Sequence, residues 1–177
     1  MSAESTDDSR DERRHDRLER TPTPGANSVY GHWIRARNPL WMLFMPVLIW
    51  ILKYVPSVRL KNVVLRAVGA EVGARTALAI GATPDFMWPD RITFGEDVIV
   101  GYDATILCHE FLQDEYRVGD VWIGDRATIG TGATVLPGVR IGPDATVAAN
   151  SLVVSDVPRE TTVAGVPAEP IEEALTD

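Results

Sequence analysis

Few side chains in this sequence are of a type that moves protons or forms covalent bonds: it holds three histidines and one cysteine. His15 lies in a charged amino-terminal stretch and His32 precedes a long apolar run. Only His109 sits in the regular part of the chain, in the phrase LCHEFLQDEYRVGD, directly after Cys108 and directly before Glu110. Imidazole titrates near neutrality, so a positioned histidine suits removal of a proton from a hydroxyl, a contribution typically of about 10²–10⁴-fold in rate. Glu110 is next to it, but neighbouring residues of an extended chain point to opposite sides, which speaks against an acid–base dyad of these two. Cys108 stands beside the histidine as a nucleophile would. A lone cysteine is more often a small buried hydrophobe, which is the expectation here. It excludes an internal disulfide framework and fits a reducing compartment.

The elements that must position His109 are written in a six-residue period. Aliphatic residues return at Ile123, Ile129, Val135, Ile141, Val147 and Val153, often followed by glycine. The same period runs earlier through Val72 and Leu78 and through Phe94, Val100 and Ile106. Small side chains precede most returns by two places: Ala104, Ala127, Ala133, Ala145 and Ser151. Neither a helix nor a simple strand has this period. Six residues make one short strand and a turn, and three such units close a triangular coil with the aliphatic residues stacked inward. Coils then stack at about 4.8 Å. Glycine after the aliphatic residue is expected to serve a turn of positive φ. A β-sandwich would show period-two alternation instead. Two stretches interrupt the phase: GATPDFMWPDR and the stretch around His109.

The chain has 177 residues and a net charge of −8. One domain with a real core is expected, and the acidic balance disfavours nucleic acid as a partner, because phosphate binding needs a basic face. Only Lys53 and Lys61 are lysines. Arginine preference with acidic balance fits either codon bias or a halophilic, salt-rich cytoplasm, where the Debye length shrinks to roughly 3 Å at 1 M. The amino terminus lacks the basic start and apolar run of a secretory signal, so a cytoplasmic location is expected.

Four parts are expected along the chain. Residues 1–27 are charged and poor in apolar residues, and read as a disordered arm. Residues 28–60 form an apolar helical segment, 61–171 the repeat domain and 172–177 a tail. The apolar run 40–52 contains Pro46 and falls short of the ~20 residues that span a bilayer. It is apolar all round and carries Trp41, Trp50 and Tyr54. Two readings stand: peripheral contact with the inner membrane face, or burial within an oligomer.

With VWIG, LPGVRIG, VAANSLVVSDVP and AGVPAEPI, the sequence resembles the left-handed β-helix hexapeptide-repeat acyltransferases, closest to the galactoside, maltose and xenobiotic O-acetyltransferase branch. The resemblance covers about residues 60–171. It implies an all-β, left-handed parallel β-helix, a homotrimer, and acetyl-coenzyme A as co-substrate, bound in the groove between neighbouring prisms. It implies His109 as general base for acyl transfer to a hydroxyl of a sugar or another small or amphiphilic acceptor. Asp85, in TPDF, matches a position beside the acceptor in those enzymes. Glu110, Tyr116 and Arg117 are candidate acceptor-binding residues, with plain loop exposure as the alternative. Ala149 and Asn150 match the wall along which pantetheine runs.

The pattern also departs from the family. Trp122 stands one hexapeptide before the place where relatives carry tryptophan, and that place falls on Thr128. Ser155 and Glu169 replace basic residues near the coenzyme's phosphates, and Arg159 is the candidate to compensate. Thr128 and Ser155 complete the expected cofactor-binding set. The competing reading is a non-catalytic trimeric scaffold or membrane-tethered binding module. A zinc carbonic anhydrase on the same fold needs three converging histidines. The repeat domain carries only His109, so no metal is expected.

Overall fold

The protein is described by a computed structural model covering residues 14–23, 25 and 27–171. From residue 71 onward the chain winds as a parallel β-helix with three faces. The first face stacks Glu71–Val72, Ile92–Phe94, Val121–Ile123 and Arg140–Ile141; the second stacks Ala77–Leu78, Ile99–Val100, Thr128–Ile129, Thr146–Val147 and Thr162–Ala164. Thr83–Pro84, Thr105–Ile106, Thr134–Val135 and Leu152–Val153 form the third. Coils pair in register, so Leu78, Val100, Ile129, Val147 and Val163 form one inward column. All the aliphatic returns and the small residues two places before them are buried.

The glycines have a different job from the expected one. Those that follow the aliphatic residue have no positive φ. They are small because the next coil passes too close: a Cβ on Gly73 would lie 2.2 Å from the carbonyl oxygen of Gly95, and one on Gly130 2.5 Å from the amide of Ala149. The left-handed residue comes two places later, at Arg75, Asp97, Asp103, Arg126, Asp144 and Asn150, with φ of 54–59°. Asp and Asn tolerate this region better than other side chains.

The first coil has no coil beneath it, and helices close that edge. Residues Ser28–His32 (α1), Pro39–Tyr54 (α2) and Val58–Ala67 (α3) precede it. Pro39 at the first turn and the Asn38 side chain, accepting from the Leu40 amide at 2.9 Å, start α2. α3 packs on the first two strands of the coil and α2 on the third. From α3, Lys61 Nζ donates to the carbonyls of Leu78 (3.2 Å) and Ala79 (2.7 Å), and Asn62 to that of Thr76 (2.7 Å). Arg66 donates to Val72 at 2.6 and 2.9 Å. Lys61 is buried, and that burial pushes its ammonium below the ordinary 10.5. Met42, Met45, Ile49 and Leu52, one stripe of α2, join the prism core. At the other end Glu169–Pro170 folds back antiparallel on Thr162–Ala164.

Two boundaries change. α3 crosses the expected division between residues 60 and 61, because its polar side chains belong to the coil edge. The expected disordered arm fails for its described part: Arg14–Arg17 form a 3₁₀ turn, and Glu19–Pro22 pair antiparallel with Glu115–Val118. Backbone pairing and ion pairs order this segment in place of apolar burial. Residues 1–13 and 172–177 lie outside the described part.

Lys61→Met removes the donor to two carbonyls at the coil edge and should cost about 1–3 kcal/mol. A urea titration should show a lower midpoint with unchanged slope.

Candidate active site

Both interruptions of the repeat leave the prism at the corner between the third and first faces, on successive coils. Pro84 pairs with Ile106, so Asp85 lies one coil below the residues that lead to His109. The lower excursion is a tight turn built by Asp85 itself, whose Oδ1 accepts from the amides of Met87 (2.8 Å) and Trp88 (2.9 Å). Its Oδ2 accepts from the Cys108 amide at 2.7 Å and meets His109 Nδ1 at 2.6 Å. The upper excursion is a hairpin, His109–Phe111 with Glu115–Val118.

The Asp85 side chain is 0% exposed and that of His109 13%. Burial opposes ionisation of Asp85, but the hydrogen bond and charge of His109, with the Trp88 and Cys108 amides, outweigh it and hold the carboxyl below its ordinary 3.8. An ionised carboxylate only accepts, so Nδ1 bears a proton toward Asp85 and Nε2 is the ring nitrogen left open. Nε2 has no hydrogen-bond partner among the described residues. Phe86, Trp88 and Phe111 surround the ring, with centroids at 5.8, 5.1 and 5.6 Å. The result is an oriented imidazole in an aromatic collar.

Asp85 therefore differs from the acceptor-binding residue expected of it. Both oxygens are taken by groups of the protein, and one of them holds the His109 ring. Counting the coil register, with Asp85 one residue after Pro84 and Pro84 beneath Ile106, was the signal for this. Glu110 and Arg117 also face structural partners. Glu110 lies 3.4 Å from Arg14 and from Arg117, and Arg117 2.5 Å from Glu115. Tyr116 stacks on Trp88 at 6.1 Å and meets Phe111 at 5.4 Å, so it belongs to the collar. Arg14 and Arg17 also hold the carbonyls of Pro137 (3.0 Å) and Gly138 (2.8 Å), tying hairpin and arm to the prism.

Cys108 points into the core and is 0% exposed. Burial first, then the Asp85 charge, pushes its thiol well above 9.0. It stays a protonated thiol, 3.6 Å from the Arg91 carbonyl. Among the described residues, no three His, Cys, Asp or Glu side chains converge to hold a metal.

Of the expected coenzyme residues, Thr128, Ala149 and Asn150 lie elsewhere on the prism. Thr128 is on the second face, paired beside Ile99 and Thr146. Ala149 and Asn150 are exposed at the corner between the second and third faces. Ser155 is exposed at the His109 corner, higher on the stack, and Arg159 pairs with Glu160 at 2.8 Å. Trp122 stands on the first face between Thr93 and Arg140 and lines a groove of about 740 Å³ together with Arg91 and Asp120. One prism does not bring His109 and Thr128 together.

Residues 120–155 match the family model of the bacterial transferase hexapeptide (six repeats). The chain is 41% identical over 152 residues to the "Putative acetyltransferase YvoF" of Bacillus subtilis (strain 168), covering 85% of this chain and 88% of that protein. It therefore belongs to the hexapeptide-repeat acyltransferases, and with that family comes the left-handed coil. The hexapeptide-repeat acetyltransferase of Vibrio cholerae O1 biovar eltor, solved with acetyl coenzyme A, superposes with a TM-score of 0.63 at 21% identity, over 81% of this chain and 90% of that one. A maltose O-acetyltransferase from Clostridium difficile 630 gives 0.58 at 19% identity, over 81% and 89%. These two superpositions speak to the fold alone.

Asp85→Asn tests the pair. The amide nitrogen would face Nδ1 and donate to it, moving the ring proton to Nε2 and abolishing the base. Turnover should fall about 10²–10⁴-fold. Stability should respond as well. The folded carboxyl titrates below its unfolded value of 3.8, so its contribution is full above that pH and is lost as pH falls through the folded value. Denaturation midpoints followed from pH 6 to 3 should fall less steeply in the variant.

Proposed function

We propose that the protein transfers an acetyl group from acetyl-coenzyme A to a hydroxyl of a sugar or another small or amphiphilic acceptor. The observation that carries this is the Asp85–His109 pair, a buried carboxylate 2.6 Å from one ring nitrogen with the other left open. Nε2 takes the hydroxyl proton as the acceptor oxygen attacks the thioester carbonyl. The C–O bond forms, the C–S bond breaks, and the protonated ring returns its proton to the departing thiolate. Asp85 stabilises the imidazolium between these steps and keeps Nδ1 protonated throughout.

The coenzyme is assigned to the groove between neighbouring prisms of a homotrimer, along Thr128, Ala149 and Asn150 of one subunit and His109 of the next, with Ser155 higher on the His109 corner. The separation of Thr128, Ala149 and Asn150 from His109 on one prism supports this reading. Glu110 and Arg117 support the acceptor side by holding the hairpin, and Tyr116 by its place in the collar.

The test is acetyl-coenzyme A binding by calorimetry, with thiol release measured over a panel of hydroxyl acceptors. His109→Ala should retain binding within about threefold and lose turnover by at least ~10²-fold. Light scattering should return a trimer's mass. Absence of binding in the wild type would overturn the reading in favour of a scaffold.

A further inference from the structure

α2 has two apolar faces. One stripe, Met42 to Leu52, enters the prism core. The opposite side presents Leu40, Leu43, Phe44, Val47, Trp50 and Ile51, which are 52–76% exposed. α3 extends this surface with Leu60 and Val63. Such a strip is larger than the scattered apolar residues that a soluble surface ordinarily carries.

Charge says what covers it. Of the 25 acidic side chains, none lies between residues 28 and 70, whereas six of the 17 basic ones do. In a chain of net charge −8 this is a strong segregation. Arg37, Lys53, Lys61 and Arg66 turn inward to partners on the prism. Arg35 and Arg59 remain exposed near the two ends of the strip, without an ion partner among the described residues. A second copy docking through the same face would bring these cations together. The strip also lies on the helices that close the end of the prism, which side-by-side assembly of prisms leaves uncovered.

We propose that the outer face of α2 and α3 docks the protein on an anionic lipid surface. The apolar side chains enter the headgroup boundary, Trp50 and Tyr54 lie at its level, and Arg35 and Arg59 meet lipid phosphates. No helix among the described residues is long and apolar enough to cross a membrane, so this is a contact in the interface plane. Trp41 of this helix, with Arg37 just before it, reaches the turn beside the candidate site. Trp41 Nε1 and Arg37 hold the Met87 carbonyl at 3.0 and 2.7 Å, in the turn whose Asp85 aims His109. A protein docked this way carries its base on the side of the prism that α2 supports, which fits an amphiphilic acceptor.

Full-length protein should co-sediment with phosphatidylglycerol vesicles and at least tenfold less with phosphatidylcholine vesicles. Leu43→Glu and Trp50→Glu, both at exposed positions, should each reduce sedimentation at least tenfold while keeping wild-type mass in light scattering and wild-type acetyl-coenzyme A binding. Lack of sedimentation by the wild type would overturn the proposal, as would equal binding to both lipids. A fall in mass of either variant would assign the face to a subunit contact and overturn it too. None of these readouts requires acetyl transfer, so failure here is separate from failure of the proposed reaction.

Discussion

A parallel coil stack satisfies its backbone only between neighbouring coils, so it has two ends with open edges, and much of this molecule answers that constraint. An open edge invites pairing with another chain. At the carboxyl end a short antiparallel return closes it, Glu169–Pro170 against Thr162–Ala164. At the amino end the solution is α3, whose Lys61, Asn62 and Arg66 reach the carbonyls that a lower coil would have met. Closing the end of the core then needs an apolar stripe, which α2 supplies. The basic character of residues 28–70 follows in part from the same need, because an edge of carbonyls is best met by donors that carry no acceptor.

The site is made where the stack is interrupted. Asp85 and His109 are 24 places apart in sequence, but their excursions leave at one corner on adjacent coils. The coil spacing of about 4.8 Å brings them within hydrogen-bond reach. A two-stranded hairpin is marginal in water on its own. Here the arm strand Glu19–Pro22 makes it three-stranded, and Arg14 ties Glu110 to the turn at Pro137. Restraint of the ring thus comes from two directions, Asp85 below and the strapped hairpin above. In the proposed reaction, a base held in one rotamer and one tautomer loses little freedom on reaching the transition state.

The inward column was legible because the six-residue period resumes after both interruptions. His109 was legible by elimination, since the other two histidines stand outside the repeats. Asp85 is legible as a candidate residue, but its contact with His109 is not. Its role depends on which coil it shares, and period alone does not reveal that without counting from Pro84 to Ile106. The arm was misread for a physical reason. Low apolar content argues for disorder only when burial is the sole source of order. Residues 14–22 are ordered by strand pairing, by Leu18, which is 7% exposed, and by arginines fastened to turn carbonyls. Glycine often follows the aliphatic residue, but for another cause than the expected one: close approach between coils requires it there, and positive φ falls two places later.

The separation of His109 from Thr128, Ala149 and Asn150 bears on the proposed chemistry more than any single side chain. Thioester transfer needs the carbonyl carbon, the attacking oxygen and the base within a few ångströms of one another. A rigid prism cannot bend one corner toward another, and its turns are pinned by residues such as Asn150 and Asp144 in the left-handed region. No loop motion within one chain would therefore bring the proposed coenzyme wall to His109. A neighbouring prism offers the missing wall without any such motion, since every subunit presents both corners. In the proposed enzyme, assembly is then part of catalysis: a monomer would keep the Asp85–His109 pair intact and still lack a place to hold the thioester beside it.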